Sequence, residues 1–201
     1  MVRVKTEAKR AEVVAAAVTV FMERGYDRTS MEDIRERAGC SKGTLYSYFP
    51  SKDDLFVQAL LDATAQEASN MVWETREQNE SASAFLQRFG VSFLKTLYAP
   101  RFQALRRLAF STPTGEVGST VYEQVVKPYE TRIAGVLTAL MSDGKLRQAN
   151  AGIAAHHFGG LLESELLLKF LLRAVGEPTE EALEAAASRA VTAFLAAYGQ
   201  H

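Results

Sequence analysis

The sequence predicts an all-α fold. Strand signals are nearly absent, apolar residues recur three or four apart along most of the chain, and capping residues and Gly or Pro stops punctuate these periodic stretches. Ala8, Ala11, Ala15, Val18 and Met22 mark the apolar face of a first helix, which Gly25 ends. Met31, Ile34 and Ala38 mark a short second helix, opened by Ser30 as N-cap with Asp33 three residues on. Ala38 to Ser41 reads as a tight turn in which Gly39 takes the left-handed conformation. A third helix runs from about Lys42 to Phe49, and Pro50 stops it.

Ser51-Lys52-Asp53-Asp54 repeats the capping logic and opens a long helix through Leu55, Phe56, Ala59 and Ala63 toward Trp73. The polar run Glu74 to Ser83 reads as a linker, after which Phe85, Leu86, Phe89, Phe93 and Leu97 share one helical face. Pro100, Pro113 to Gly115, Pro128, Asp143-Gly144 and Glu177-Pro178 divide the remainder into four or five further helices, about nine in all. The expected organisation is a small three-helix unit over 1–51 and a larger helical bundle over 52–201.

Bulk properties narrow the function classes. The 201 residues are 47% hydrophobic and 23% charged, ordinary for a soluble globular protein. The most apolar stretch, Leu161 to Leu172, is interrupted by Glu163, Glu165 and Lys169, so no membrane span is expected. No apolar run follows the first charges as in a secretory signal, and the single cysteine, Cys40, has no internal disulfide partner; the expected location is the cytoplasm. The formal net charge of −1 argues against an indiscriminate polyanion binder. Residues 1–10 nevertheless hold Arg3, Lys5, Lys9 and Arg10 against Glu7 alone, a basic arm suited to phosphate.

Two short helices joined by a Gly-containing turn form a unit whose second helix can enter a DNA major groove. At 100° per residue, Leu45 and Phe49 point inward toward Ile34 and Ala38, while Gly43, Thr44, Ser47 and Tyr48 occupy the opposite arc. Lys42 opens this helix and Lys52 follows its end, where cations meet flanking phosphates. The same periodicity also suits a three-helix unit that never touches DNA.

Thr29-Ser30-Met-Glu-Asp-Ile34-Arg-Glu-Arg-Ala38-Gly39-Cys40-Ser41-Lys42-Gly43-Thr44-Leu45-Tyr46-Ser47-Tyr48-Phe49-Pro50-Ser51-Lys52-Asp53-Asp54-Leu55, with the preceding Phe21, Gly25 and Tyr26, resembles the signature of the tetracycline-repressor (TetR) family. The resemblance covers roughly residues 8–60 and favours DNA binding through a helix-turn-helix. It implies that Lys42, Gly43, Thr44 and Ser47 lie near bases, and that Tyr46, Tyr48 and Lys52 hold phosphates, with Ser30 at the start of the second helix as a further anion site. Tyr46, at an angle close to Leu45 and Phe49, has packing as its alternative role. Arg35 departs from the usual small residue and is either an extra phosphate contact or part of a solvated face. Cys40, where Val is common in the family, reads as a small packed hydrophobe, with a redox-sensing thiol as the alternative.

Beyond residue 60 the resemblance keeps only the layout of a dimerising, effector-binding bundle. Residues 151–173 are apolar almost all round and imply burial on more than one face, and Gly159-Gly160 would admit another helix closely. The last helix adds a stripe of Leu183, Ala187, Ala190, Phe194 and Ala197. By order and position these two helices match the family's dimer interface, implying a homodimer whose recognition helices, about 34 Å apart, read a palindromic operator on double-stranded DNA.

Candidate ligand contacts are the aromatics Trp73, Phe89, Phe93, Phe102, Phe110 and Tyr122, with His156 and Glu163, seven apart on one face, as a polar anchor. The expected effector is a small apolar or aromatic molecule whose binding releases the repressor from DNA. No cofactor or metal is expected: His156-His157 lacks the i, i+4 spacing of a zinc pair, and no phosphate loop or nucleophile motif occurs, which argues against an enzyme. A DNA-bound organising or division-control protein of the same fold, with no small ligand, is the other class considered.

Overall fold

The computed structural model describes residues 6–68, 80–111, 115–174 and 176–200, without the side chains of residues 64, 66–68 and 101. The described residues form helices α1 (Glu7–Arg24), α2 (Met31–Arg37), α3 (Lys42–Tyr48), α4 (Lys52–Ala68), α5 (Ala82–Leu97), α6 (Pro100–Ser111), α7 (Gly115–Val121), α8 (Lys127–Ser142), α9 (Ala151–Glu163), α10 (Leu167–Leu171) and α11 (Glu180–Tyr198). The all-α expectation holds, with more and shorter helices than expected. A π-helical turn, Tyr122–Val126, links α7 to α8. Pro128 accounts for it: it has no N–H to donate to the carbonyl of Gln124, and its ring crowds that carbonyl, so the register widens.

The chain divides into two compact units, Met1–Ala65 with Arg101–Val125, and Gln66–Pro100 with Val126–His201. In the first, α1 buries Val13, Val14, Ala17, Val20 and Phe21. This corrects the face expected from sequence: Ala8, Ala11, Ala15 and Met22 are exposed and Val18 is half-buried. Both stripes satisfy helical periodicity. Hydrophobic stabilisation follows apolar area, so the face with the bulkier side chains turns inward. Phe21, Tyr26 and Phe56 form an aromatic cluster, with Phe21–Phe56 centroids at 5.2 Å and Tyr26–Phe56 at 5.0 Å. It joins α1 and the following turn to α4, whose Leu55, Phe56, Ala59 and Ala63 are buried as expected.

In the second unit, α5, α8, α9 and α11 enclose a core in which Phe89, Phe158, Phe194 and Tyr198 pack in sequence. Gly90 brings α5 close to its neighbours, for a Cβ there would stand 2.8 Å from a methyl of Leu162 and 3.5 Å from the Cβ of Ala187. The apolar run of 151–173 is not one helix. It breaks at residues 164–166, and Leu168 and Leu172 beyond the break are exposed at 65% and 68%. The stripe of α11 is likewise assigned differently: Leu183, Ala187, Ala190 and Phe194 are buried within the chain's own core, and Ala197 is exposed.

Candidate nucleic-acid interface

The local sequence around α2 and α3 builds its own scaffold. Ser30 accepts a hydrogen bond from the Asp33 N–H at 3.1 Å, and the Asp33 carboxylate accepts from the Ser30 N–H at 2.8 Å, completing the capping box. The Ser30 hydroxyl also donates to Asp33 at 2.6 Å, and these bonds, led by that hydroxyl, hold the Asp33 carboxyl below its ordinary range. The start of α2 thus already carries a carboxylate where the sequence suggested a site for phosphate. Gly39, at φ 56°, makes the left-handed turn, and the Ser41 hydroxyl caps α3 by accepting from the Thr44 N–H at 3.1 Å.

Ile34 and Leu45 are fully buried and Phe49 nearly so, which fixes the outer face of α3. Lys42, Gly43, Tyr46 and Ser47 are exposed and Thr44 is half-buried. Tyr46, left open between packing and contact by its angle, stands outside the core with Lys42 Nζ 5.9 Å from its ring centre. The Thr44 hydroxyl pairs with that of Ser41 at 2.8 Å, and Ser47 donates to the Thr44 carbonyl at 2.8 Å.

Three expected contact residues have partners in the chain that sequence reasoning missed. The Tyr48 hydroxyl accepts from the Thr6 N–H at 2.8 Å. Lys52 donates to the carbonyl of Tyr26 at 3.0 Å and lies 4.2 Å above its ring. The Tyr26 hydroxyl donates to Asp53; burial first, and this bond second, raise its pKa above the ordinary tyrosine value. Arg35 pairs with Glu32 at 2.7 Å and donates to the Cys40 carbonyl at 3.3 Å, tying α2 to its turn. That pairing raises Arg35 and lowers Glu32 from their ordinary ionisation ranges. Cys40 is buried, as a packed hydrophobe would be.

The ligand candidates are dispersed. Phe89 and Phe93 belong to the core of the second unit, Phe102 is buried in the first, and Phe110 and Tyr122 are exposed at 58% and 43%. Trp73 lies outside the described residues. His156 and Glu163 do not form the shared anchor expected of them. His156 is exposed and meets Glu130 on α8 at 3.2 Å, whereas Glu163 accepts from the Tyr98 hydroxyl at 3.0 Å. Each of the two takes the partner that a neighbouring element offers, which spacing along α9 does not reveal.

Residues 13–59 match the family described as bacterial regulatory proteins, tetR family, and residues 84–200 match the AefR-like transcriptional repressor C-terminal domain. The HTH-type transcriptional regulator TtgR of Pseudomonas putida is 38% identical over 80 residues, which are 39% of this chain and 38% of that protein. The match thus spans well under half the length of that curated relative. A TetR-family transcriptional regulator from Mesorhizobium loti MAFF303099 superposes with a TM-score of 0.82 at 27% identity, covering 98% of this chain and 100% of that one. The flavonoid-responsive regulator FrrA does so at 0.80 and 28%, again over 98% and 100%. With its helix-turn-helix in the matching segment and its second family match spanning most of the remainder, the chain belongs to the TetR family of transcriptional regulators.

Proposed function

We propose that the chain is a DNA-binding repressor of the cytoplasm, with 1–51 as reading head and 52–201 as the part that dimerises and takes up an effector. The observation that carries this reading is the outer face of α3. Lys42, Gly43, Tyr46 and Ser47 are exposed there while Leu45 and Phe49 hold the helix down, a surface of small, hydrogen-bonding and cationic groups on a rigid support. Thr44 and Ser47 read base edges, and Lys42, Tyr46 and Lys52 grip phosphates.

A homodimer on a palindromic operator suits the helices of the second unit. Gly159 and Gly160 face open space within the chain, and Ile153 on the same helix is 52% exposed, so a second copy of α9 can approach closely. Because the expected α11 stripe is used internally, the subunit contact falls to the opposite face of α11, around Ser188, Thr192 and Ala196. Release by a small aromatic effector is supported by the likeness to FrrA, a flavonoid-responsive regulator. A ligand shifts the DNA-bound population only through its differential affinity for the two states.

Selection of the full chain against a random duplex pool tests this reading. A palindromic consensus with half-sites one helical turn apart is expected, and a flavonoid should lower affinity for the selected duplex. Enrichment of no sequence would overturn specific DNA recognition.

A further inference from the structure

Residues 6–65, the described reading head together with the start of α4, hold eight cations: Lys9, Arg10, Arg24, Arg28, Arg35, Arg37, Lys42 and Lys52. They sort by partner. Lys9 pairs with Glu12, Arg24 with Asp33, Arg35 with Glu32, and Arg37 with Glu23, at 2.5–2.7 Å. Arg28 donates to the Arg24 carbonyl. The other three sit on aromatic rings: Arg10 at 5.4 Å from the Phe49 centroid, Lys42 at 5.9 Å from Tyr46, and Lys52 at 4.2 Å from Tyr26. No ion pair with a carboxylate joins these three among the described residues.

The distinction has an electrostatic consequence. A carboxylate cancels the charge of the cation it holds and repels an arriving phosphate. A ring quadrupole positions the cation without the close ion pair that neutralises it, and Lys42 feels Glu32 only at longer range. The three ring-seated cations also bracket α3. Lys42 is its first residue, while Arg10, on the ring of its C-cap Phe49, and Lys52, three residues past that cap, stand at the other end. Seven residues make a helix about 10 Å long, to be laid in a groove about 12 Å wide. Cations at its two ends therefore flank the surface that enters the groove, where the backbone phosphates lie.

We infer that Arg10, Lys42 and Lys52 form the phosphate-gripping set around α3, which makes Arg10 of α1 a DNA contact and leaves Arg35 to the scaffold. This rests on the DNA-binding reading, adds Arg10 to its interface and assigns Arg35, open in the sequence, to the scaffold. In the free chain Lys52 is held by Tyr26, and its remaining N–H groups are the ones offered to DNA.

The test is the salt dependence of full-chain binding to a mixed-sequence DNA duplex, with folding checked by circular dichroism. Arg10→Gln, Lys42→Gln and Lys52→Gln should each reduce the slope of log affinity against log salt by about 0.9 for each phosphate no longer neutralised. Arg10→Lys, which keeps the charge, should restore the wild-type slope. Arg35→Gln, and Arg37→Gln as a second carboxylate-paired control, should leave it unchanged. A wild-type slope in Arg10→Gln alongside a reduced one in Lys52→Gln overturns the inference and spares DNA binding. A reduced slope in both carboxylate-paired controls overturns the sorting by partner. A wild-type chain whose retention is independent of salt removes the DNA reading itself.

Discussion

The phenol oxygen of Tyr48, on the last residue of α3, accepts a hydrogen bond from the backbone N–H of Thr6, the N-cap of α1, at 2.8 Å. The end of α3 is thereby tied to the start of α1. Tyr48→Phe keeps the ring and removes the acceptor. Urea denaturation should show a loss of about 1 kcal/mol or less, because the bond is exposed, together with weaker DNA binding at low salt.

Ser41 holds α3 at its other end, through the Thr44 N–H and the Thr44 hydroxyl. Seven residues are too few for a stable helix without such support. Ser41→Ala should cost about 1 kcal/mol in urea denaturation, and Ser41→Asp should retain most of it.

Tyr26 gives a pH signature. Burial, and donation to Asp53, raise its folded-state value above the ordinary tyrosine range. The unfolded chain then loses the phenolic proton first. The contribution to stability is complete below about pH 10 and is lost as pH rises through the folded value. Tyr26→Phe has no such proton, so its denaturation midpoint should decline less steeply than the wild type's above pH 10.

Gly90 separates helix propensity from packing. In Gly90→Ala the new methyl displaces only the tip of Leu162, and a propensity gain of about 1 kcal/mol offsets that shift, so thermal stability should barely change. Gly90→Val adds two more carbons against Leu162 and Ala187 and should lose about 1–3 kcal/mol.

Gly160 meets open space within the chain. Gly160→Arg should therefore keep the melting temperature of the fold while shifting sedimentation from dimer to monomer. A variant that still sediments as a dimer would place the subunit contact elsewhere.

The legible part of this protein was the part whose causes are local. Ser30 with Asp33, Gly39 at positive φ, Ser41 as cap, and Leu45 and Phe49 as the inward pair all act within a few residues of themselves. Capping bonds and helical angles follow from spacing, so the two short helices and the turn between Ser30 and Phe49 stood out in the sequence alone.

What spacing left undecided was every choice between partners distant along the chain. Periodicity admitted two faces for α1, and the bulk of Val13, Val20 and Phe21 against Phe56 selected one. It placed His156 and Glu163 on one face, yet Glu130 and Tyr98 drew them to separate partners. It marked Lys52 and Arg35 alike as cations beside DNA. Only the fold set Lys52 over the ring of Tyr26, 26 residues away, and Arg35 against Glu32 and the Cys40 carbonyl. A residue's type and neighbours decide whether it carries charge, whereas the groups that tertiary packing brings within a few ångströms decide whether that charge is spent inside the chain or offered to DNA.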